Sequence, residues 1–153
     1  MFREMRRIKN QMTDVSAIDL INNCLEGTLG TISVDNGYPY TVVLNYVYLN
    51  NKIYIHSAKG GHKIDNIINN NKVSFTVYSN VKVIQDTFTT KYQSVTLFGK
   101  ASIIPSTIEI LFEFIKKYSP NFLKKGKKYV EKDFDSPVLI EIEVEYLKGK
   151  ERL

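Results

Sequence analysis

The chain has 153 residues, 43% of them hydrophobic and 24% charged, enough to bury one core and too apolar for a disordered chain. No apolar run approaches the roughly 20 residues that span a bilayer, and the basic start Met1-Phe2-Arg3-Glu4-Met5-Arg6-Arg7 leads into no apolar stretch, so a soluble, cytoplasmic protein is expected. One cysteine, Cys24, excludes an internal disulfide, and with only His56 and His62 beside it no zinc or iron constellation can be written. The formal charge of +5 and pI of about 9.2 permit a polyanionic partner. Neither the N-terminal arm nor Lys124-Lys125-Gly126-Lys127-Lys128 interleaves aromatics, so nucleic acid is not the expected partner.

Thr13 or Asp14 is placed to cap a short helix with Ile18, Ile21 and Leu25 on one face, ending near Gly27 and lying as a lid on a sheet. Cys24 reads as small filler on that helix. Residues 28–34 read as a strand, and Asp35-Asn36-Gly37 as the turn after it. Residues 40–49 are almost all β-formers, predicting one strand with both faces covered or one face meeting a ligand; Asn50-Asn51 turns it back into a strand over 52–57. Residues 72–78 are strand-like, 80–91 form a loop or hairpin insertion, and 92–104 alternate, with Val95, Leu97, Ala101 and Ile103 on one face and Tyr92, Ser94, Thr96, Phe98 and Lys100 on the other. Ser106-Thr107-Ile108-Glu109 is a capping-box pattern opening a helix with Ile108, Leu111, Phe112 and Ile115 in register, and Pro120 stops it. The lysine-rich segment to Asp135 reads as a poorly specified connection with room for a turn of helix. Val138, Ile140, Ile142 and Val144 then alternate with carboxylates in an antiparallel strand wet on one side. Six strands joined mostly by short turns predict a small antiparallel barrel with flanking helices, mainly β within the α+β class.

The chemistry concentrates in Ile53-Tyr54-Ile55-His56-Ser57-Ala58-Lys59-Gly60-Gly61-His62-Lys63-Ile64, a strand that feeds a helix through a small polar turn. Ile64, Ile67 and Ile68 mark that helix by their spacing. Free N–H groups and the positive dipole end at the helix start favour a phosphate there. Ser57 adds a hydroxyl, Lys59 and Lys63 add charge, and Gly60 and Gly61 let backbone approach a ligand. The glycine spacing is neither a P-loop nor a dinucleotide fingerprint. His56 and Ser57 are strand neighbours, whose side chains point to opposite faces, so they are not expected to form a nucleophile pair. An enzyme built from these residues would need a cofactor to carry its reaction.

Several short stretches, in order and spacing, resemble the pyridoxamine 5'-phosphate oxidase-like flavin-binding split barrels, and among them the nitroimidazole-resistance proteins. They are Met1-Phe2-Arg3-Glu4-Met5-Arg6-Arg7, Tyr38-Pro39-Tyr40, Ile53-Tyr54-Ile55-His56-Ser57-Ala58, Gly61-His62-Lys63-Ile64-Asp65, Phe88-Thr89-Thr90, Ser94-Val95 with Phe98-Gly99, Lys117-Tyr118-Ser119-Pro120 and Leu147-Lys148-Gly149-Lys150. The resemblance implies a six-stranded split barrel that binds FMN between the subunits of a homodimer. It places the flavin ring along Thr41, Val42, Val43, Leu44 and Asn45, and the phosphate at His56, Ser57, Ala58, Lys59, His62 and Lys63. Tyr92, Gln93, Ser94 and Phe98 contribute to the same groove, in many relatives from the other subunit. The activity it implies is FMN-dependent reduction of nitro-aromatic or related small molecules from a reduced nicotinamide or other donor, with His62 and His56 as candidate proton donors. The alternative is a non-catalytic flavin- or heme-binding module on the same barrel. Pyridoxamine phosphate oxidation itself is not expected, because no second phosphate-binding set of arginines is present.

Overall fold

The alternating runs become seven strands in a computed structural model that describes residues 1–153: β1 (Glu26–Ile32), β2 (Pro39–Asn45), β3 (Val47–Leu49), β4 (Lys52–Ser57), β5 (Lys72–Ile84), β6 (Thr89–Pro105) and β7 (Val138–Arg152). The helices are α1 (Asp14–Asn23), α2 (His62–Asn69), α3 (Ile108–Tyr118) and α4 (Leu123–Asp133). One sheet runs β2-β1-β5-β6-β7-β4-β3, every pair antiparallel. It curls until β2 approaches β4, but no ladder joins them. The architecture is mainly β within α+β, an antiparallel barrel left open along one seam.

The expected six strands are seven because residues 40–49 do not form one strand. Tyr46 interrupts them: its backbone N–H donates to the Tyr118 hydroxyl over 2.8 Å and its carbonyl accepts from that hydroxyl over 2.8 Å, replacing the ladder. Asn50 and Asn51 both take positive φ, 50° and 61°, which two-residue hairpins of the matching twist require. Of the two expectations for residues 80–91 the hairpin holds; β5 and β6 continue past Ser79 with a register shift before Lys82. On β6 Val95, Leu97 and Ala101 point inward as the alternation predicts.

Leu29, Ile53, Ile55, Phe75, Val77, Val95, Leu97, Ile140 and Ile142 fill the barrel, with α1 laid across it through Ala17, Leu20 and Ile21. The lid is as predicted, but its boundary is not: α1 stops at Asn23 and Leu25 is exposed. Gly27 is no helix stop. It lies in β1, where a Cβ would come within 2.2 Å of the Phe75 ring. On α2, Ile64, Asn66 and Ile67 are buried while Ile68 is 72% exposed.

A second apolar layer lies on the outside of β4 and β7, where Tyr54 and Leu139 meet Leu111 and Phe114 of α3 and Val130 of α4. The lysine-rich segment forms α4, eleven residues, instead of a connection. Helix propensity did not reveal it because its anchor is Gly126, whose missing Cβ lets α4 close on Ile115. The expected capping box is displaced by one residue. Thr107 caps α3 by accepting from Ile110 N–H, and Ser106 is buried, donating to the Phe134 and Pro137 carbonyls. Replacing that cap, Thr107→Ala, is expected to lower stability by about 1 kcal/mol, read as a fall in the chemical-denaturation midpoint at unchanged slope.

Candidate functional site

Strand alternation sorts β4 cleanly. Ile53 and Ile55 enter the barrel, and Ser57, two residues further, follows them inward; Tyr54 and His56 face the α3 layer. His56 sits edge-on to Phe114, ring centroids 4.8 Å apart, and burial pushes its imidazole below the usual histidine range. Ser57 Oγ is fully buried and has no hydrogen-bond partner. Such an orphaned hydroxyl costs on the order of 1–3 kcal/mol unless something satisfies it.

Beyond Ser57, Ala58, Lys59 and Gly60 are exposed, and α2 begins after Gly61 at φ +114°. The Gly61 carbonyl accepts from Ile64 and Asp65 N–H at 2.8 and 3.1 Å, but no side chain caps the helix, so the N–H groups of His62 and Lys63 lack intrahelical acceptors. A Cβ built on Gly60 or Gly61 meets nothing within 4 Å, so the space in front of the turn is open. Lys63 is half-buried and pairs with no carboxylate. An orphaned hydroxyl, unpaired N–H groups, a free ammonium and open space fit a phosphoester.

His62 has partners within the chain. Its Nε2 is 3.0 Å from Ser33 Oγ and 3.5 Å from an Asp35 carboxylate oxygen, and its ring lies 4.4 Å from that of Tyr40. The histidine therefore ties the start of α2 to the β1–β2 turn. Asn66 ties the middle: fully buried, it accepts from Val34 N–H at 2.9 Å and donates to Thr31 Oγ1 at 3.0 Å. Sequence reasoning passed over Asn66, although a lone amide between Ile64 and Ile67 on an apolar helix face was a visible sign of a buried polar tie.

Thr41, Val43 and Asn45 are exposed on the outer face of β2, while Val42 and Leu44 pack half-buried on the core. β2 pairs only with β1, so its other edge presents unpaired backbone groups to the seam. Thr41 and Phe98 share a groove of about 770 Å³ with Phe2, Lys72 and Ser74. Phe98 stacks on Phe2 at 5.8 Å and Tyr146 at 6.0 Å. Tyr92 and Ser94 lie on this outer face, with Tyr92 beneath the Lys150 ammonium. Gln93 points the opposite way, accepting from Asn80 and donating to Glu151.

The structure thus brings His62 of the turn to Tyr40 of β2 and joins Thr41 to Phe98, while His56 faces the α3 layer instead. It does not bring Tyr92, Gln93 or Ser94 to the same chain's turn. Ser57 pairs with Val138, which pairs with Pro105, and the eleven residue steps from Ser94 to Pro105 span about 36 Å of strand. Lys59 borders a separate pocket at the ends of β6 and β7. Behind the seam, Lys117 and Tyr118, from one of the stretches that carry the resemblance, form a cluster whose contacts were not legible in sequence: Tyr118 Oη lies between Tyr46 and the Leu25 carbonyl, and Lys117 Nζ is buried 3.8 Å over the Tyr46 ring. Burial pushes the Lys117 ammonium down to about 8. Glu141, on the strand face expected to be wet, instead accepts from Lys52 and Tyr54 at 2.9 Å each. No three His, Cys, Asp or Glu side chains gather to hold a metal, and no helix is long and apolar enough to cross a membrane.

Known proteins share this fold. A conserved hypothetical protein from Mycobacterium tuberculosis superposes with TM-score 0.81 at 19% identity, covering 97% of this chain and 90% of that one. A candidate 5-nitroimidazole antibiotic resistance protein from Bacteroides thetaiotaomicron gives 0.66 at 20% identity over 92% and 85%. A FAD-binding protein from Mesorhizobium loti gives 0.63 at 21% over 94% and 97%. Likeness at these identities establishes the fold, and no curated protein sequence matches. The family described as pyridoxamine 5'-phosphate oxidase matches residues 16–151, almost the whole chain. By that match, and with a seamed antiparallel barrel whose structural neighbours include flavin-binding proteins, the chain belongs to the pyridoxamine 5'-phosphate oxidase family.

Proposed function

We propose that the chain is a flavin-dependent reductase similar to nitroimidazole-resistance proteins, using a flavin bound by its 5'-phosphate, of which FMN is the smallest. The observation that carries this reading is the buried, unpartnered Ser57 hydroxyl beside an uncapped helix start and an open glycine turn. When bound, the flavin supplies the electron transfer. Ser57 and the N–H groups of His62 and Lys63 orient the phosphate, and the Lys63 ammonium neutralises it. The unpaired edge of Val42, Val43, Leu44 and Asn45 offers backbone groups to the ring's polar rim, with the exposed Val43 against its face. His62, held by Ser33 and Asp35, stiffens the turn beside Tyr40, while His56 packs on Phe114 on the opposite face of β4 from Ser57.

The strand length that separates Ser94 from the phosphate turn supports a homodimer, in which Tyr92 and Ser94 complete the groove of the other subunit. The acceptor is a small nitro-aromatic or related molecule, and reduced nicotinamide is one donor class. The test is a visible absorption spectrum of the purified protein, then oxidation of NADH or NADPH in the presence of a nitroimidazole. Flavin absorbance with turnover is the expected result. A flavin-loaded protein without turnover would identify a binding module instead, and no uptake of added flavin would overturn the reading.

A further inference from the structure

We propose that α4 docks the protein peripherally on an anionic phospholipid bilayer, its lysines meeting headgroup phosphates and Phe122 and Tyr129 entering the interface between them; this goes beyond the flavin reading and does not depend on it. The helix carries Lys124, Lys125, Lys127, Lys128 and Lys132 against only Glu131 and Asp133, all of them exposed. None of the five lysines is in an ion pair, so nothing inside the fold uses their charge. Large apolar side chains that the fold leaves uncovered crowd the same element: Phe122 is 64% exposed and Tyr129 68%.

Gly126 and Val130 turn inward onto α3, which fixes what the rest of the helix presents. Phe122, Lys125 and Tyr129, at i, i+3 and i+7, share a slot of about 400 Å³ with Ile115 and Gly126. Lys125, Lys128 and Lys132 repeat that spacing, so a stripe of ammonium groups runs beside the two rings. The lysine run has no aromatic within it, and the helical period supplies the interleaving instead. With eleven residues α4 is too short to span a bilayer. Packed along one side, it meets solvent as a convex surface, without the groove that a single nucleic-acid strand follows. A convex strip in which rings alternate with cations matches a plane that is anionic at its surface and apolar just beneath. Lysine stems lie against apolar surface while their ammonium groups stay among the headgroups, and a tyrosine suits a boundary that is apolar on one side and wet on the other.

The experiment is co-sedimentation of the purified full chain with vesicles of phosphatidylcholine alone, and of phosphatidylcholine mixed with phosphatidylglycerol, at low and high salt. The chain is expected to bind the mixed vesicles at low salt, at least about tenfold more weakly at high salt, and not to bind phosphatidylcholine alone. Lys125→Glu combined with Lys128→Glu is expected to weaken binding more than about twentyfold. Because the chain has no tryptophan, Tyr129→Trp places a single reporter on the docking face, and its emission should shift to the blue on mixed vesicles. No binding to mixed vesicles overturns the proposal, as does equal binding to both compositions. Undiminished binding by the double variant, or a reporter whose emission stays unchanged while the protein sediments, places the contact elsewhere on the chain and overturns it too. Tighter binding of a single-stranded oligonucleotide than of mixed vesicles would assign the face to nucleic acid. The reporter variant decides the matter even if the double variant does not fold.

Discussion

Reversing one charge, Lys63→Glu, is expected to weaken flavin binding more than about a hundredfold, close to 3 kcal/mol, with the fold intact. Lys63 sits one residue inside α2, where the helix dipole and two unsatisfied N–H groups already favour an anion. Its ammonium is half-buried with no carboxylate partner, so within the chain it stabilises nothing that its removal would break. A charge-assisted hydrogen bond to phosphate contributes on the order of 1.5–3 kcal/mol, and a carboxylate in its place adds repulsion. The apo protein's melting temperature should be unchanged, because the added acid lies at the helix N-terminus where negative charge is tolerated. Flavin titration followed by fluorescence checks the first part and calorimetry the second. A variant that retains wild-type affinity would show that the phosphate is held elsewhere.

Lys117→Met is expected to raise stability by about 2 kcal/mol at pH 7, with the gain fading towards pH 10.5. Burial against Tyr46 pushes this ammonium from the ordinary lysine value of 10.5 to about 8, with the Cys24 thiolate acting weakly in the opposite direction. At 1.36 kcal/mol per tenfold, that displacement corresponds to about 3 kcal/mol, and solvent reaching the half-open side chain reduces it to about 2 kcal/mol. Between pH 8 and 10.5 the unfolded chain binds more protons at this site than the folded one, so this group's contribution to stability rises with pH across that window. Below pH 8 the folded state carries a charge that no hydrogen-bond partner satisfies. Methionine removes the charge and keeps the stem. Denaturant midpoints of both proteins at pH 7 and pH 10.5 give the difference directly, which cancels the titration of Cys24 and the tyrosines common to both. A loss of stability at pH 7 would mean that the ammonium's stacking on Tyr46 outweighs its desolvation.

The alternation of β6 and β7, the Asp35-Asn36-Gly37 and Asn50-Asn51 turns, and the strand-turn-helix around Ser57 were all legible in the chain, because each depends on neighbours a few residues away. Periodicity of two assigns faces, turn residues assign reversals, and a hydroxyl followed by two glycines and a lysine at a helix start has its chemistry within eight residues. What failed to show did so for one shared reason: the deciding partner is far along the chain. Tyr46 breaks a run of β-formers because Tyr118, 72 positions on, takes its backbone bonds. Gly126 anchors a helix through Ile115, and Gly27 lies in a strand because Phe75 needs the room.

By itself, then, the sequence determined a one-core antiparallel barrel and a turn suited to phosphate, since local hydrogen bonding and apolar spacing suffice for both. Only the tertiary structure decided that the barrel has seven strands and an open seam, that Ser57's hydroxyl is buried without a partner, that His62 is engaged by Ser33 and Asp35, and that Tyr92 to Ser94 lie far from their own chain's turn. Those outcomes follow from which strand ends meet when the sheet curls, and the energy of that meeting resides in contacts between residues that no local pattern relates.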